Sequence, residues 1–143
     1  MPYFTVALAR RDSRWHVVDV DVDSADTVED LVDLYATEAP DADPGLVLVE
    51  REDEWFALLR VSPDTGETRA FMSDPAGAED SRYAELLGAG GDGGEGEPDL
   101  LADLGLPADE LSRLGSDEAT TPAEALAAVG EALGFADLLD SLR

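Results

Sequence analysis

The chain lacks five residue types altogether: Lys, Asn, Gln, Ile and Cys. The absence of cysteine excludes disulfides, thiol catalysis and every Cys-ligated metal site. The absence of lysine excludes a P-loop, because that motif uses a Lys to reach the phosphates of a nucleotide. The joint loss of Lys, Asn and Ile is typical of GC-rich coding, and a salt-adapted host is the rival explanation.

Positive charge is scarce as well. The 143 residues contain 34 Asp and Glu against 9 Arg, which gives a formal net charge of −25. Such a surface repels phosphate backbones, because nucleic-acid binding depends on Lys and Arg that displace counterions. We therefore expect no direct nucleic-acid contact and instead a basic protein partner, whose encounter the negative field would accelerate. The same charge would also keep the protein soluble without any partner.

Long apolar runs are missing too. The first residues, MPYFTVALARR, carry no basic segment before an apolar stretch that is too short for a signal peptide. No apolar run approaches the length of a membrane span. We expect a cytoplasmic protein without a membrane partner, and the 44% apolar content is enough for a folded core.

The periodicity of apolar residues predicts an α+β fold, an antiparallel sheet of about five strands with two flanking helices. Helices are predicted at 27–39, which Pro40 ends, and at 76–87, which Asp74 and Pro75 open. Turns are predicted at 11–14, at 51–54 as a four-residue hairpin loop, and at 62–67, where Gly66 can take a positive φ. The predicted strands are 3–10, 15–21, 46–50, 55–61 and 68–73.

A glycine-rich stretch divides the chain. GAGGDGGEGEP at 88–98 holds six glycines among acids and predicts a flexible linker. It separates a sheet domain at 1–87 from a small helical C-terminal segment at 99–143. Thr121 and Pro122 should start the longest helix there and Gly134 should end it. We expect the apolar stripe of this segment to pack on the sheet, on a second copy in a homodimer, or on a partner. The stripe consists of Leu126, Val129, Leu133, Phe135, Leu138 and Leu142.

The stretch DVDVDSAD at 19–26 resembles a calcium loop. Asp19, Asp21, Asp23 and Asp30 fall at ligand positions 1, 3, 5 and 12 of an EF-hand loop. Position 6 is Ser24 instead of glycine, and a strand is predicted where an EF-hand has a helix. Simple alternation along the strand, with these aspartates on one wet face, explains the pattern better. Weak divalent-metal binding is the alternative.

No motif predicts catalysis or a cofactor. The only histidine, His16, lies on the apolar face of a predicted strand, which favours a partly buried or rim position over a ligand. Gly88, Gly90 and Gly93 match a dinucleotide fingerprint, but they follow a helix and stand among acids that would repel pyrophosphate. With 34 acids, some close carboxylate pair is inevitable and carries no information. We therefore expect no enzyme, no catalytic residue and no bound cofactor.

One acidic turn could meet a partner. Glu50, Glu52, Asp53 and Glu54 precede Trp55, and an exposed Trp beside carboxylates would suit a partner that carries Arg or Lys around an apolar pocket. The alternative is that Trp55 belongs to the core of the sheet. Arg60 and Arg69, in the strands on either side of the 62–67 turn, are expected to pair with acids on neighbouring strands.

Several stretches in order resemble a known family. After Trp15 come DEWFALLRV (53–61), AFMSDPAGAEDSRYAELL (70–87), DLLADLGLPADEL (99–111) and TPAEALAAVGEALGFADLLDSLR (121–143). This order resembles the small acidic bacterial proteins called tRNA adenosine deaminase-associated proteins. The resemblance covers nearly the whole chain and implies association with that deaminase, without an activity, cofactor or binding residue to transfer. Zinc deaminases need two Cys ligands, so a chain without cysteine is not the deaminase itself.

The sequence thus predicts a non-enzymatic acidic accessory protein that contacts a basic partner, with tRNA adenosine deaminase as the candidate. The alternatives are an acidic mimic of nucleic acid that inhibits another nucleic-acid-handling protein, and a weak divalent-metal-binding protein.

Overall fold

The computed structural model describes residues 4–12, 14–18, 28–51, 55–62, 64–73, 99–116 and 120–142. These residues form an α+β fold with a five-stranded antiparallel sheet, as predicted. The strands are β1 (Phe4–Arg11), β2 (Arg14–Val17), β3 (Gly45–Arg51), β4 (Trp55–Ser62) and β5 (Glu67–Met72). The helices are α1 (Val28–Glu38), α2 (Ala108–Ser116), α3 (Pro122–Leu133) and α4 (Ala136–Leu142), with a 3₁₀ turn at Ala102–Leu104.

The strand order is β2-β1-β3-β4-β5, and every neighbouring pair is antiparallel. In the first hairpin Arg11 pairs with Arg14, and Asp12 takes a φ of 51°. Left-handed residues of this kind match the twist of a tight hairpin, and Asp tolerates them. The chain then passes through α1 and enters β3, which lies beside β1 in the centre of the sheet.

Some predicted bounds change. The regular part of β2 ends at Val17, and residues 19–21 lie outside the described residues. In the β3–β4 hairpin Arg51 pairs with Trp55, so the connection is the three residues 52–54 and the predicted four-residue loop is wrong. The additional residue pair in the ladder allows the backbone N–H and C=O groups of Arg51 to form hydrogen bonds. Gly66 takes the predicted positive φ, 78°, and its N–H donates to the Ser62 carbonyl at 2.8 Å.

Both faces of the sheet are covered. The side against α1, here the α1 face, includes Leu31 and Tyr35 of the helix over Val47, Val49 and Leu59 of the strands. The side against residues 99–142, here the C-terminal face, includes strand residues such as Leu48, Leu58 and Phe71 and is covered by Leu126, Phe135 and their neighbours. Strands buried on both faces read as continuous apolar runs, which explains LVLV in β3 and WFALL in β4.

Tyr35 attaches α1 to the centre of the sheet. Its hydroxyl lies 3.0 Å from the Leu8 carbonyl oxygen and 3.3 Å from that of Leu46, residues that face each other in β1 and β3. Burial raises the pKa of the Tyr35 hydroxyl well above its ordinary value, because the charged form would lose its solvation. The ring also lies where a Cβ at Gly45 would stand, so glycine is required at the start of β3.

The helical C-terminal segment folds onto the sheet, and Leu126, Val129 and Phe135 of its apolar stripe are buried there. Thr121 caps α3 by accepting the Glu124 N–H at 3.2 Å, and Gly134 ends it with a φ of 100°, both as predicted. The indole Nε1 of Trp15 donates to the Leu133 carbonyl at 3.1 Å, and its ring meets Phe135 edge-on at 5.3 Å. These contacts connect the β1–β2 hairpin to the junction of α3 and α4.

Two predicted segments, the helix at 76–87 and the linker at 88–98, lie outside the described residues, so the domain division at that point stays a prediction. In the part of the chain that the structure describes, no helix is long and apolar enough to cross a membrane.

Candidate functional site

Most of the stretch considered as a weak calcium loop lies outside the described residues. Asp30 lies in the first turn of α1 and is half-buried, whereas Asp19, Asp21 and Asp23 fall outside the described residues. Within the described ranges, no group of three or more His, Asp or Glu side chains is arranged to hold a metal ion. Weak divalent-metal binding at 19–30 therefore stays a prediction.

The acidic turn does not present an exposed tryptophan. Trp55 is 1% exposed and packs in the core of the α1 face, so of the two interpretations of this residue the sheet-core one is correct. Glu50 is only 6% exposed. Both residues belong to the β3–β4 ladder, where the alternation of side chains turns them towards covered faces of the sheet. Glu52, Asp53 and Glu54 lie outside the described residues.

His16 is an exposed rim residue. It lies on the edge strand β2, where it pairs with Ala9 of β1, and its side chain faces solvent. Its neighbour Val17, 46% exposed, is the large apolar residue most open to solvent among those described. Neither residue has a catalytic or metal-binding neighbour that the described chain brings to it.

Among the described residues, a polar cleft of about 300 Å³ lies between β4, β5 and residues 99–103, here called the β4–β5 cleft. Arg60 faces Arg69 directly across the two strands, and Ser62 faces Glu67 two pairs of residues further along. Side chains two residues apart share a face, so all four line the same side of the sheet. The cleft is lined by Arg60, Ser62, Glu67, Arg69, Asp99, Ala102 and Asp103.

Two like charges directly opposite in a sheet repel each other, and here acids of the C-terminal segment neutralise them. Arg60 donates two hydrogen bonds to the Asp103 carboxylate, from Nη1 to Oδ1 at 2.6 Å and from Nη2 to Oδ2 at 2.9 Å. The same Nη1 donates to the Leu100 carbonyl at 2.7 Å. Arg69 donates from Nη2 to Asp99 Oδ1 at 2.7 Å. These bonds fasten the start of the C-terminal segment to the end of the sheet.

The ion pair of Arg60 and Asp103 is electrostatically strong. The hydrogen bond from Arg60 lowers the pKa of the Asp103 carboxyl below its usual value, and the bond to Asp103 raises the pKa of the Arg60 guanidinium. The Arg60 side chain is only 16% exposed, whereas Asp103 is 61% exposed. Water therefore screens the carboxylate more than its partner, which limits what the pair contributes to stability.

The sequence predicted that Arg60 and Arg69 bind acids, but on neighbouring strands, and this location is wrong. Their acids come from residues about 30 to 43 positions later in the chain, beyond the glycine-rich stretch. Reasoning from strand pairs cannot find such partners. The available signal was the DLLAD motif at 99–103, which places two aspartates around an apolar pair at the spacing of one helical turn.

Three of the described helices, α1, α3 and α4, share a second feature, because all of their charged residues are acidic. The sequences of α1, α3 and α4 contain no basic residue. Of the described acidic residues, only Asp30 is half-buried and only Glu50 is buried, and the others are exposed. The described arginines, apart from Arg113 in α2, lie on strands. The molecule is therefore acidic on the helical layers that cover both sides of its sheet.

Comparison with known proteins gives one match. A family model described as "Rv3753c-like tRNA adenosine deaminase-associated protein" matches residues 3–136. That range includes all five strands, the β4–β5 cleft and the first three helices. No curated protein and no solved structure matches the chain.

Proposed function

Because the chain belongs to the Rv3753c-like tRNA adenosine deaminase-associated protein family, we propose that it is an accessory protein that binds a tRNA adenosine deaminase by direct contact with a basic face. The observation that supports this proposal is the segregation of charge, with purely acidic outer surfaces on α1, α3 and α4. A protein of net charge −25 attracts basic surfaces and repels RNA.

The physical link lies in what a tRNA-handling enzyme must carry. Binding of a phosphate backbone requires clustered Lys or Arg on the enzyme. Those same residues offer a complementary surface to exposed carboxylates, and such complementarity accelerates association and selects partners. The acidic helical layers are therefore suited to dock on the enzyme and not on its substrate.

We propose further that the chain is not itself a catalyst. Its sequence has no cysteine to hold a deaminase zinc, and its single histidine lies on an exposed strand edge.

The test is titration calorimetry of the two purified proteins at about 0.1 M and about 1 M NaCl, where the Debye length falls from about 10 Å to about 3 Å. We expect a complex at the lower salt that weakens strongly at the higher salt. No binding at the lower salt, with both proteins folded, would contradict the proposal.

Matched variants identify the docking layer. One variant neutralises Glu29, Asp33 and Glu38 on α1, and the other neutralises Glu131, Asp137 and Asp140 on α3 and α4, so each removes three exposed charges. Unequal losses of affinity identify the face that docks, whereas equal losses show that only the overall field acts. Competition with tRNA for the enzyme would favour action as an acidic mimic of nucleic acid, and simultaneous binding would favour a scaffold.

A further inference from the structure

We infer that the β4–β5 cleft is the binding site for one cationic side chain of the basic protein partner, either a guanidinium or an ammonium. This inference rests on the proposed function and adds a specific anchor to it.

The donors of the cleft are engaged. Arg60 directs its terminal nitrogens to both oxygens of Asp103 and to the Leu100 carbonyl, and Arg69 binds Asp99. A guanidinium held in this way has little left to offer an anion. An incoming phosphate or carboxylate would first have to displace an internal carboxylate.

The groups that remain are acceptors. Within the described residues, no hydrogen bond or ion pair engages the carboxylate of Glu67 or the hydroxyl of Ser62, which face each other across β4 and β5. Asp99 uses one oxygen for Arg69, and its side chain is 62% exposed. Carboxylates accept several hydrogen bonds each, so the open positions call for a ligand that brings N–H donors and positive charge.

The net charge of the cleft lining also favours a cationic ligand. Three carboxylates, those of Glu67, Asp99 and Asp103, face two guanidiniums, and the whole molecule adds a strongly negative field. A cleft of about 300 Å³ has room for one long side chain. The ion pairs fix two of the acceptors before the ligand arrives, which lowers the entropy cost of binding.

The direct test follows backbone amide NMR shifts during titration with N-acetyl-arginine amide, with methylammonium as the ammonium probe and inorganic phosphate as the anionic one. We expect the cationic probes to shift the amides of Ser62, Glu67 and Asp99 more than those of α1, and phosphate to leave them unchanged. Glu67→Gln should weaken the response about threefold, since exposed charge pairs have modest energies. Glu131→Gln removes the same charge from the outer surface of α3 and should change nothing at the cleft.

Shifts spread evenly over the acidic surface, equal effects of Glu67→Gln and Glu131→Gln, or shifts produced by phosphate would each overturn the inference. The complex with the deaminase gives an independent readout, in which Glu67→Gln should weaken binding about three- to tenfold more than Asp109→Asn, which removes an exposed charge from α2, outside both candidate docking layers. If the two variants bind equally well, the cleft is not the anchor although the proposed function stands. If the wild-type proteins form no complex, the proposed function fails, and the titration with small cations still tests the cleft.

Discussion

Tyr35 shows how one side chain can hold a helix to a sheet in a small protein. A phenol is mostly apolar surface with one polar atom, and here the ring is buried while the hydroxyl reaches the carbonyls of Leu8 and Leu46. Buried polar atoms must be paired, so the position of α1 over β1 and β3 depends on this contact.

We expect Tyr35→Phe to lower the free energy of unfolding by about 1–2 kcal/mol, because two buried carbonyl oxygens lose a donor while the ring still fills its space. Urea denaturation measures the change. Thr37→Ala on the exposed side of the same helix removes a hydroxyl that binds only the Asp33 carbonyl, and it should cost less. Equal decreases in the free energy of unfolding of the two variants would show that the buried hydrogen bonds of Tyr35 stabilise the fold no more than the exposed one of Thr37.

For single residues, the sequence is informative where the local chemistry of the residue determines its backbone conformation. Thr121, Gly134 and Gly66 were predicted because capping and left-handed turns depend on a few adjacent residues. Trp55 was left between two interpretations, since its exposure depends on what packs above β4. The hydroxyl contacts of Tyr35 could not be foreseen because they depend on how α1 lies across the sheet.

Among the elements, the sheet and the C-terminal segment are joined by two different kinds of contact. The C-terminal face supplies apolar packing through Phe71, Leu126, Phe135 and their neighbours. The ion pairs of Arg60 and Arg69 act at the edge of that packing and hold the first residues after the glycine-rich stretch. The apolar contacts supply most of the stability, and the ion pairs fix where the segment begins.

The pair of Arg60 and Asp103 makes stability depend on pH in a defined direction. Arg60 lowers the pKa of Asp103 in the folded protein, so the pair stabilises the fold above the ordinary Asp value of about 3.9. That contribution is lost as pH falls through the lowered pKa, because the unfolded chain takes up the proton first.

We expect Asp103→Asn to cost about 1 kcal/mol at neutral pH, a value reduced for the solvent screening of an exposed carboxylate. The difference from wild type should close at pH values below about 4. Urea denaturation across this pH range measures it. Asp64→Asn removes one charge from the exposed β4–β5 turn and is the control for general charge effects. A difference that stays constant with pH would show that the ion pair contributes nothing.

The elements themselves were largely predictable, because alternation and helical spacing are local patterns. β1, β3, β4, β5, α1 and the C-terminal helices appear near their predicted positions. The contact of the 99–103 segment with β4 and β5 was not predictable, because a glycine-rich stretch gives no information on where the chain returns. The β4–β5 cleft forms only where residues 99–103 meet the sheet. The sequence therefore predicted that Arg60 and Arg69 bind acids, but it did not predict the cleft.

For the whole molecule, the dominant quantity is charge. A net charge of −25 on 143 residues places many exposed carboxylates close to one another in the folded state, where they repel. Unfolding lets the charges move apart. Salt screens the repulsion in the compact state more than in the expanded one.

We therefore expect the thermal midpoint to rise as NaCl increases from about 0.01 M to about 0.3 M, where screening changes most. Calorimetric scans measure it. Sucrose at equal osmolality is the control, because it stabilises by exclusion from the surface without screening charge. A midpoint that falls with salt would mean that the ion pairs of the arginines outweigh the repulsion among the acids.

The two tryptophans lie on opposite faces of the sheet, with Trp55 in the core of the α1 face and Trp15 in that of the C-terminal face. The chain has no others, so each hydrophobic layer holds a single indole fluorophore. Trp15 is 9% exposed and hydrogen-bonded to the end of α3, so its emission changes when the C-terminal segment separates. Trp55 is buried in the core that includes Leu31 and Tyr35 of α1, so its emission changes when that core opens. The protein thus contains its own pair of optical reporters, one for each layer.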